Sequence, residues 1–168
     1  MEKYLYLGVL LFAISYPLAQ SFEHRIRYAS QWKYLFPGMG LTAAFFIVWD
    51  IWFTQLGVWE FNPTYVLGFF WMDLPLEEWL FFICIPFACV FTHYALLLYF
   101  PKMKLGENSS KSIAVGLMLT LVFVLIFNYD KWYTLVNFSL AIPLTLIVLK
   151  YNPKLLQHFF LTFLVMLI

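Results

Sequence analysis

Glu77 and Glu78 stand side by side in Asp73-Leu74-Pro75-Leu76-Glu77-Glu78-Trp79-Leu80-Phe81-Phe82, at the mouth of an apolar run that reaches Phe100. An acid inside a membrane span costs roughly 2.5 kcal/mol or more and usually faces a cavity or a bundle interior. Two neighbouring carboxyls also discourage each other's ionisation, and a carboxyl held neutral at ordinary pH can serve as a general acid. Successive helical residues point about 100° apart. Glu77 therefore lies above Phe81, Cys84 and Ala88, and Glu78 above Phe82, Ile85, Cys89 and His93. One of the two faces any single pocket, and Glu78 is favoured because its stripe carries the further polar residue His93. In the plainer reading Glu77 caps its own helix, Glu78 meets headgroups and His93 is a hydrogen-bonded helix histidine. Asp50, between Trp49 and Trp52, is the third acid that could join the pair.

The elements that must hold these acids are membrane helices. The 168 residues are 64% hydrophobic and 11% charged, about half the charged share of a soluble domain. A net charge of +1 gives no basic field, and neither a zinc-finger nor a helix-turn-helix pattern is present, which argues against nucleic acid as a partner. Cys84 and Cys89, five residues apart inside a span, match no metal-ligand spacing, and no metal site is expected. Aromatic residues make up 23% of the chain, more than two interfacial belts require, and the surplus can line a pocket.

Taken in order, residues 4–20 form the first span, at the short limit for a hydrocarbon core of about 30 Å. A cleavable signal peptide is the rival reading. It is disfavoured by the Glu2-Lys3 lead and the lack of a clean small-x-small site before Ser21. Further spans are expected at about 34–53, 75–100, 112–128 and 132–149, with a sixth apolar run from Leu155. Leu74 is expected as N-cap and Pro75 as the first residue of the third helix. Between the second and third spans, Tyr65 to Met72 is apolar but too short to cross, suggesting a re-entrant or interfacial lid. Asn62-Pro63 reads as a turn, with the Asn62 amide a second candidate to orient a carboxyl. Trp59, Trp71 and Trp79 fit an interfacial belt by default.

Eight of the ten basic residues lie on alternate loops: Arg25, Arg27, Lys33, Lys102, Lys104, Lys111, Lys150 and Lys154. The positive-inside rule puts those loops in the cytoplasm and the N-terminus and acids on the other side. A weak internal repeat pairs the sequence around Pro17 with that around Pro143, and Leu41-Thr42 with Leu161-Thr162, at offsets of 120 to 126 residues. The fold expected is therefore all-α, a polytopic bundle of about six spans. Residues 1–100 make a first three-helix repeat, 101–131 a linking span with its loops, and 132–168 an incomplete second repeat that lacks a final segment.

The stretches Glu60-Phe61-Asn62-Pro63-Thr64-Tyr65-Val66-Leu67-Gly68 and Leu74-Pro75-Leu76-Glu77-Glu78-Trp79-Leu80-Phe81-Phe82 resemble the lycopene cyclase domain family. These are membrane carotenoid cyclases of the two-subunit bacterial and fused fungal types, and the second stretch matches their Pro-x-Glu-Glu/Asp motif. The strong likeness covers about residues 49–94. It implies two copies of the motif, of which one is present, so the other is expected from a second subunit or a missing C-terminal segment. It also implies a redox-neutral isomerisation of a long-chain carotenoid held in the membrane lipid. A proton adds to the terminal alkene, a neighbouring double bond attacks the carbocation, and proton loss leaves a β-ionone ring. Glu77, Glu78 and Asp50 are the acid and base candidates. Trp49, Trp59, Trp71, Phe81 and Phe82 are candidates to face the cation, with Asn62 and His93 as further substrate contacts. No cofactor is expected, since the chain has no G-x-G-x-x-G for a flavin. The expected location is the cell inner membrane. A hydratase-like enzyme, in which water captures the same cation, and a small proton-coupled transporter are the competing expectations.

Overall fold

The computed structural model describes residues 2–167, and they are overwhelmingly helical. Among the described residues six α-helices follow one another: α1 (Leu5–Gln20), α2 (Trp32–Gln55), α3 (Leu76–Tyr99), α4 (Glu107–Phe127), α5 (Trp132–Tyr151) and α6 (Lys154–Leu167). Short 3-10 turns at Glu2–Tyr4 and Tyr28–Gln31 lead into α1 and α2. A hairpin of β1 (Phe70–Trp71) and β2 (Leu74–Pro75) precedes α3. The expected all-α class is observed. Four helices, α2 with its leading turn, α3, α4 and α5, are long and apolar enough to cross a membrane by length and composition. The other two are shorter, at 16 residues for α1 and 14 for α6.

The helix boundaries correct two expectations. Leu74 and Pro75 do not open α3 but pair in the hairpin, Trp71 with Leu74 and Phe70 with Pro75, and α3 starts at Leu76. The Leu76 N–H donates to the Phe69 carbonyl at 2.9 Å, closing the hairpin onto the helix start. Both acids thus sit one position nearer the helix N-terminus than a proline at the first helical position would place them. At the other end of the chain, α4 begins at Glu107, inside a stretch whose polarity reads as loop, because Gly106 in extended conformation leads straight into a helical turn.

The chain divides into two compact units, Met1–Leu98 and Tyr99–Ile168. In the first, one cluster joins three helices: Ile26, Tyr28, Met39, Phe87 and Phe91 are buried, with Ile14, Trp32, Leu35, Tyr94 and Ala95 packed against them. Tyr28 lies edge-on to Phe87 and Phe91, with ring centroids 5.5 and 5.3 Å apart. Without a hydrophobic drive between helices in lipid, this dispersion and quadrupole packing holds the unit together. Arg27, in the left-handed region at φ 51°, turns the chain into the Tyr28 helical turn. Ser21 ties that loop to α1: its hydroxyl donates to the Pro17 carbonyl at 2.7 Å, and its carbonyl accepts the Ala29 N–H at 2.9 Å.

In the second unit α4 packs against α5 and α6, and the buried Ser110 and Ala114 offer a small-residue stripe for close approach. The lead-in to α4 is fixed to α6 by the Leu105 N–H, which donates to the Gln157 carbonyl at 3.1 Å.

The α1, α2 and α3 directions put the N-terminus of α1, the C-terminus of α2 and the N-terminus of α3 away from this aromatic cluster. That is the end where Asp50, Glu77 and Glu78 lie. Replacing Phe87 with Ala is expected to cost about 3 kcal/mol through the cavity it leaves. Leu41→Ala, at a side chain 78% exposed, is expected to stay within about 0.5 kcal/mol. Unfolding titrations in detergent measure both.

Candidate active site

Glu77 is 0% exposed, and what it bonds to is not its own helix. Its Oε1 accepts the N–H of Leu67 at 2.7 Å, so the carboxyl fastens the loop before the hairpin rather than capping α3. Its Oε2 is buried with no partner. The loop can reach it because Gly68, at φ +89°, bends the chain where a side-chain-bearing residue would be strained. Beyond Gly68, the hairpin turns through Met72 and Asp73, both at positive φ (50° and 66°), as a two-residue turn between right-twisted strands requires. The Asp73 carboxylate accepts the Gln55 amide at 3.0 Å, tying the turn to the end of α2. Val66 and Leu74 are buried, whereas Phe69, Phe70, Trp71 and Met72 are exposed. The segment expected as a lid is therefore a tethered loop and hairpin, with apolar side chains outside and Glu77 inside.

Glu78 points elsewhere, as a step of about 100° demands. Its Oε2 accepts the Tyr6 hydroxyl at 2.6 Å, a contact between α1 and α3. Tyr6 also donates its backbone N–H to the Tyr65 carbonyl at 3.3 Å, so α1, the loop and α3 meet at this residue. Asp50 is 6% exposed, and its Oδ2 has no partner. It lies close enough to interact electrostatically with both Glu78 and Tyr6. Trp59 comes within hydrogen-bonding reach of Asp50 and donates its indole N–H to Thr54 Oγ1 at 3.2 Å. Three acids and a phenol thus converge from α1, α2 and α3.

Aromatic rings surround this end. Phe53 is fully buried and meets Trp49 and Trp59 at centroid distances of 5.4 and 5.2 Å. Trp71 stacks on Trp79 at 4.3 Å with 27° between planes, and the Trp79 indole N–H donates to the Trp71 carbonyl at 3.3 Å. Phe81 and Phe82 lie one turn beyond the acids, edge-on to each other at 5.6 Å. Two candidates fall outside the convergence. Asn62 is exposed and closes its own turn, Oδ1 accepting the Thr64 N–H at 3.0 Å and its carbonyl the Tyr65 N–H at 3.1 Å. His93 is on α3 about 22 Å of helical rise beyond Glu78. Sequence reasoning missed Tyr6 and Phe53. A tyrosine or phenylalanine near a span end reads as a belt residue, and nothing in the spacing sets these two apart.

The arrangement combines the buried carboxyls of Asp50 and Glu77 and the half-buried one of Glu78 with a phenol able to donate and accept, and aromatic faces suited to a cation. Among the described residues no group of three His, Cys, Asp or Glu side chains could hold a metal ion. The family model described as Lycopene cyclase matches residues 3–96 and 130–168. The chain belongs to the lycopene cyclase family. The first matched stretch contains every residue of the acid end. The second begins at the turn before α5. No curated protein and no solved structure matches the chain.

Glu77→Ala is expected to leave the Leu67 N–H unpaired in a buried place, at a cost of about 1–3 kcal/mol. Amide hydrogen exchange at Leu67 should quicken roughly tenfold or more, with the Phe87 region unchanged. Glu77→Gln keeps an acceptor oxygen and is expected to show a smaller effect.

Proposed function

We propose that this member of the family is a carotenoid cyclase that closes a β-ionone-type ring on the linear end of lycopene or a related carotenoid, without redox change. The observation that carries the reading is the gathering of Asp50, Glu77 and Glu78 at one aromatic-lined end of α1–α3, with the Tyr6 hydroxyl donated to Glu78 at 2.6 Å. Protonated Glu78 gives its proton to C2 of the terminal C1=C2 bond, leaving a cation at C1. The C5=C6 electrons form the C1–C6 bond and move the cation to C5. Asp50 takes the proton from C6, restoring C5=C6 inside the ring. One proton enters and one leaves, so the product is an isomer of the substrate. The faces of Trp49, Trp59, Phe81 and Phe82 stabilise the passing cation, with about 2 kcal/mol or more available per desolvated contact, whereas Trp71, exposed on the outer face of the hairpin, stacks on Trp79 instead. Glu77 serves by holding the loop that excludes water. His93, far along α3, would meet the polyene rather than the reacting end, and Asn62 would shape the loop.

The substrate is a hydrocarbon dissolved in the bilayer and enters sideways from lipid. In cells making lycopene, the chain supplied together with the second copy of the motif is expected to yield cyclic pigment, and the 168-residue form by itself to be inactive or strongly impaired. Glu78→Gln and Asp50→Asn are each expected to lower ring formation by about 10²–10⁴-fold, the usual weight of general acid–base catalysis. Absence of cyclic product from any linear carotenoid with both motif copies present would sink the cyclase reading. A hydroxylated acyclic product would instead point to water capture of the cation.

The same reading places the protein in the inner membrane with the acid end on the non-cytoplasmic side, supported by the basic residues on the opposite loops. In a Cys84→Ala, Cys89→Ala background, Asp73→Cys is expected to react with a membrane-impermeant thiol reagent added outside intact spheroplasts. Lys104→Cys is expected to react only after lysis. The reverse pattern inverts the assignment.

A further inference from the structure

Between α2 and α3, away from the acids, the first unit holds a cavity of about 380 Å³. Leu35, Gly38, Met39 and Thr42 line it from α2 and Pro86 and Val90 from α3, with Tyr34 the lining residue furthest along α2 from Asp50. The lining is apolar apart from Thr42 and Tyr34, and the Thr42 hydroxyl is turned back on its own helix, donating to the Gly38 carbonyl at 2.9 Å. Gly38 leaves room: a Cβ placed there would meet nothing within 4 Å. The register against the acids is the same on both helices. Thr42 stands eight residues before Asp50 and Pro86 eight after Glu78, and Gly38 and Val90 are each twelve residues from the same acids. The cavity therefore lies about 12–18 Å of helical rise from the acids along either wall.

Ring closure occupies only C1 to C6 of a linear carotenoid, and the rest of the chain must run on from the acids. Spread over the about 12 Å of rise from Thr42 to Tyr34, the cavity has a section of about 30 Å², against about 80 Å² for a helix of about 10 Å diameter. It admits one hydrocarbon chain and not a helix. A conjugated polyene is held straight by its double bonds and gives up little rotational freedom on entering, whereas a saturated acyl chain must freeze bond after bond. We propose that this cavity is the binding site for the polyene of the carotenoid, seating the conjugated chain while its terminal double bonds reach Asp50 and Glu78. Gly38 sets the width of the site, and Pro86 with Val90 forms its opposite wall. The inference deepens the cyclase reading and rests on it for the identity of the ligand.

Lycopene is achiral and shows circular dichroism in its visible bands only when an asymmetric site holds it. The 168-residue form, expected to leave the substrate linear, is placed in phosphatidylcholine vesicles and titrated with lycopene. The wild type is expected to give visible dichroism that saturates. Gly38→Phe is expected to raise the half-saturating concentration by about tenfold or more, because the added ring fills the site. Val90→Trp, closing it from the α3 side, is expected to act alike. Gly40→Phe makes the same change about 200° round α2, where an added Cβ also meets nothing within 4 Å, and is expected to leave the titration unchanged. Equal effects of the Gly38 and Gly40 changes, no effect at Gly38 and Val90, or no visible dichroism with the wild type overturns the proposal. So does a spin-labelled phosphatidylcholine that the wild type immobilises and lycopene fails to displace, which assigns the cavity to lipid. Loss of a two-copy assembly in Gly38→Phe with lycopene binding intact assigns it to a second copy and overturns the proposal too. With the second motif copy supplied, Gly38→Phe is expected to raise KM for lycopene and leave kcat nearly unchanged, and a fall in kcat at unchanged KM counts against the site. If the wild type then makes no ring, the cyclase reading falls while the dichroism titration still decides the cavity.

Discussion

The hydrogen bond from the Leu67 N–H to Glu77 is the constraint on which the acid end depends. A carboxyl removed from water is tolerated only with partners, and a backbone N–H removed from water carries the same debt. Each supplies what the other lacks. The bond fixes the first turn of α3 against a loop ten residues earlier in the chain. The neighbouring Glu78 is then presented to α1, because adjacent side chains on a helix diverge. Removing the loop would strand Glu77, and removing Glu77 would free the loop. Placing the acids and folding the loop are one problem here.

The opposite end of α1–α3 solves a different problem. It has no acids in the cluster and relies on Tyr28, Phe87 and Phe91 in edge-on contact. Such packing is insensitive to proton movement, so any change of charge among the acids falls away from the contacts that hold the helices together. The polar end can therefore be strained and sparsely bonded, with unpartnered oxygens on Asp50 and Glu77, while the aromatic end remains closed. This division follows from chain direction. An up-down-up arrangement gathers one terminus from each of three helices at a single end.

Much of this was legible in the residues. Apolar run length gave the six helices and most of their limits, and the cost of acids in a span singled out Asp50, Glu77 and Glu78. The loop before α3 was recognisable as too short to cross. Its conformation was not, because a two-residue hairpin usually announces itself with Asn-Gly or Asp-Gly, and here Met72 and Asp73 occupy the turn. The helix start was misplaced for a related reason. Pro75 suits a first helical position, but pairing with Phe70 outweighed that local preference. Tyr6 stayed hidden because its role depends on a partner 72 residues away, and a tyrosine among leucines carries no sign of it.

The hairpin has an outer face as well as an inner one. Phe69, Phe70, Trp71 and Met72 are four consecutive exposed side chains that favour hydrocarbon or the headgroup boundary over water. They follow, two residues on, from Leu67, which is bonded to Glu77. One wall of the acid site thus turns an apolar face outward, and in a bilayer the lipid would be the solvent of that wall. A micelle with a different interfacial thickness changes the solvent of that wall. Preparations in detergent and in membranes then differ in the site itself, with the polypeptide unaltered.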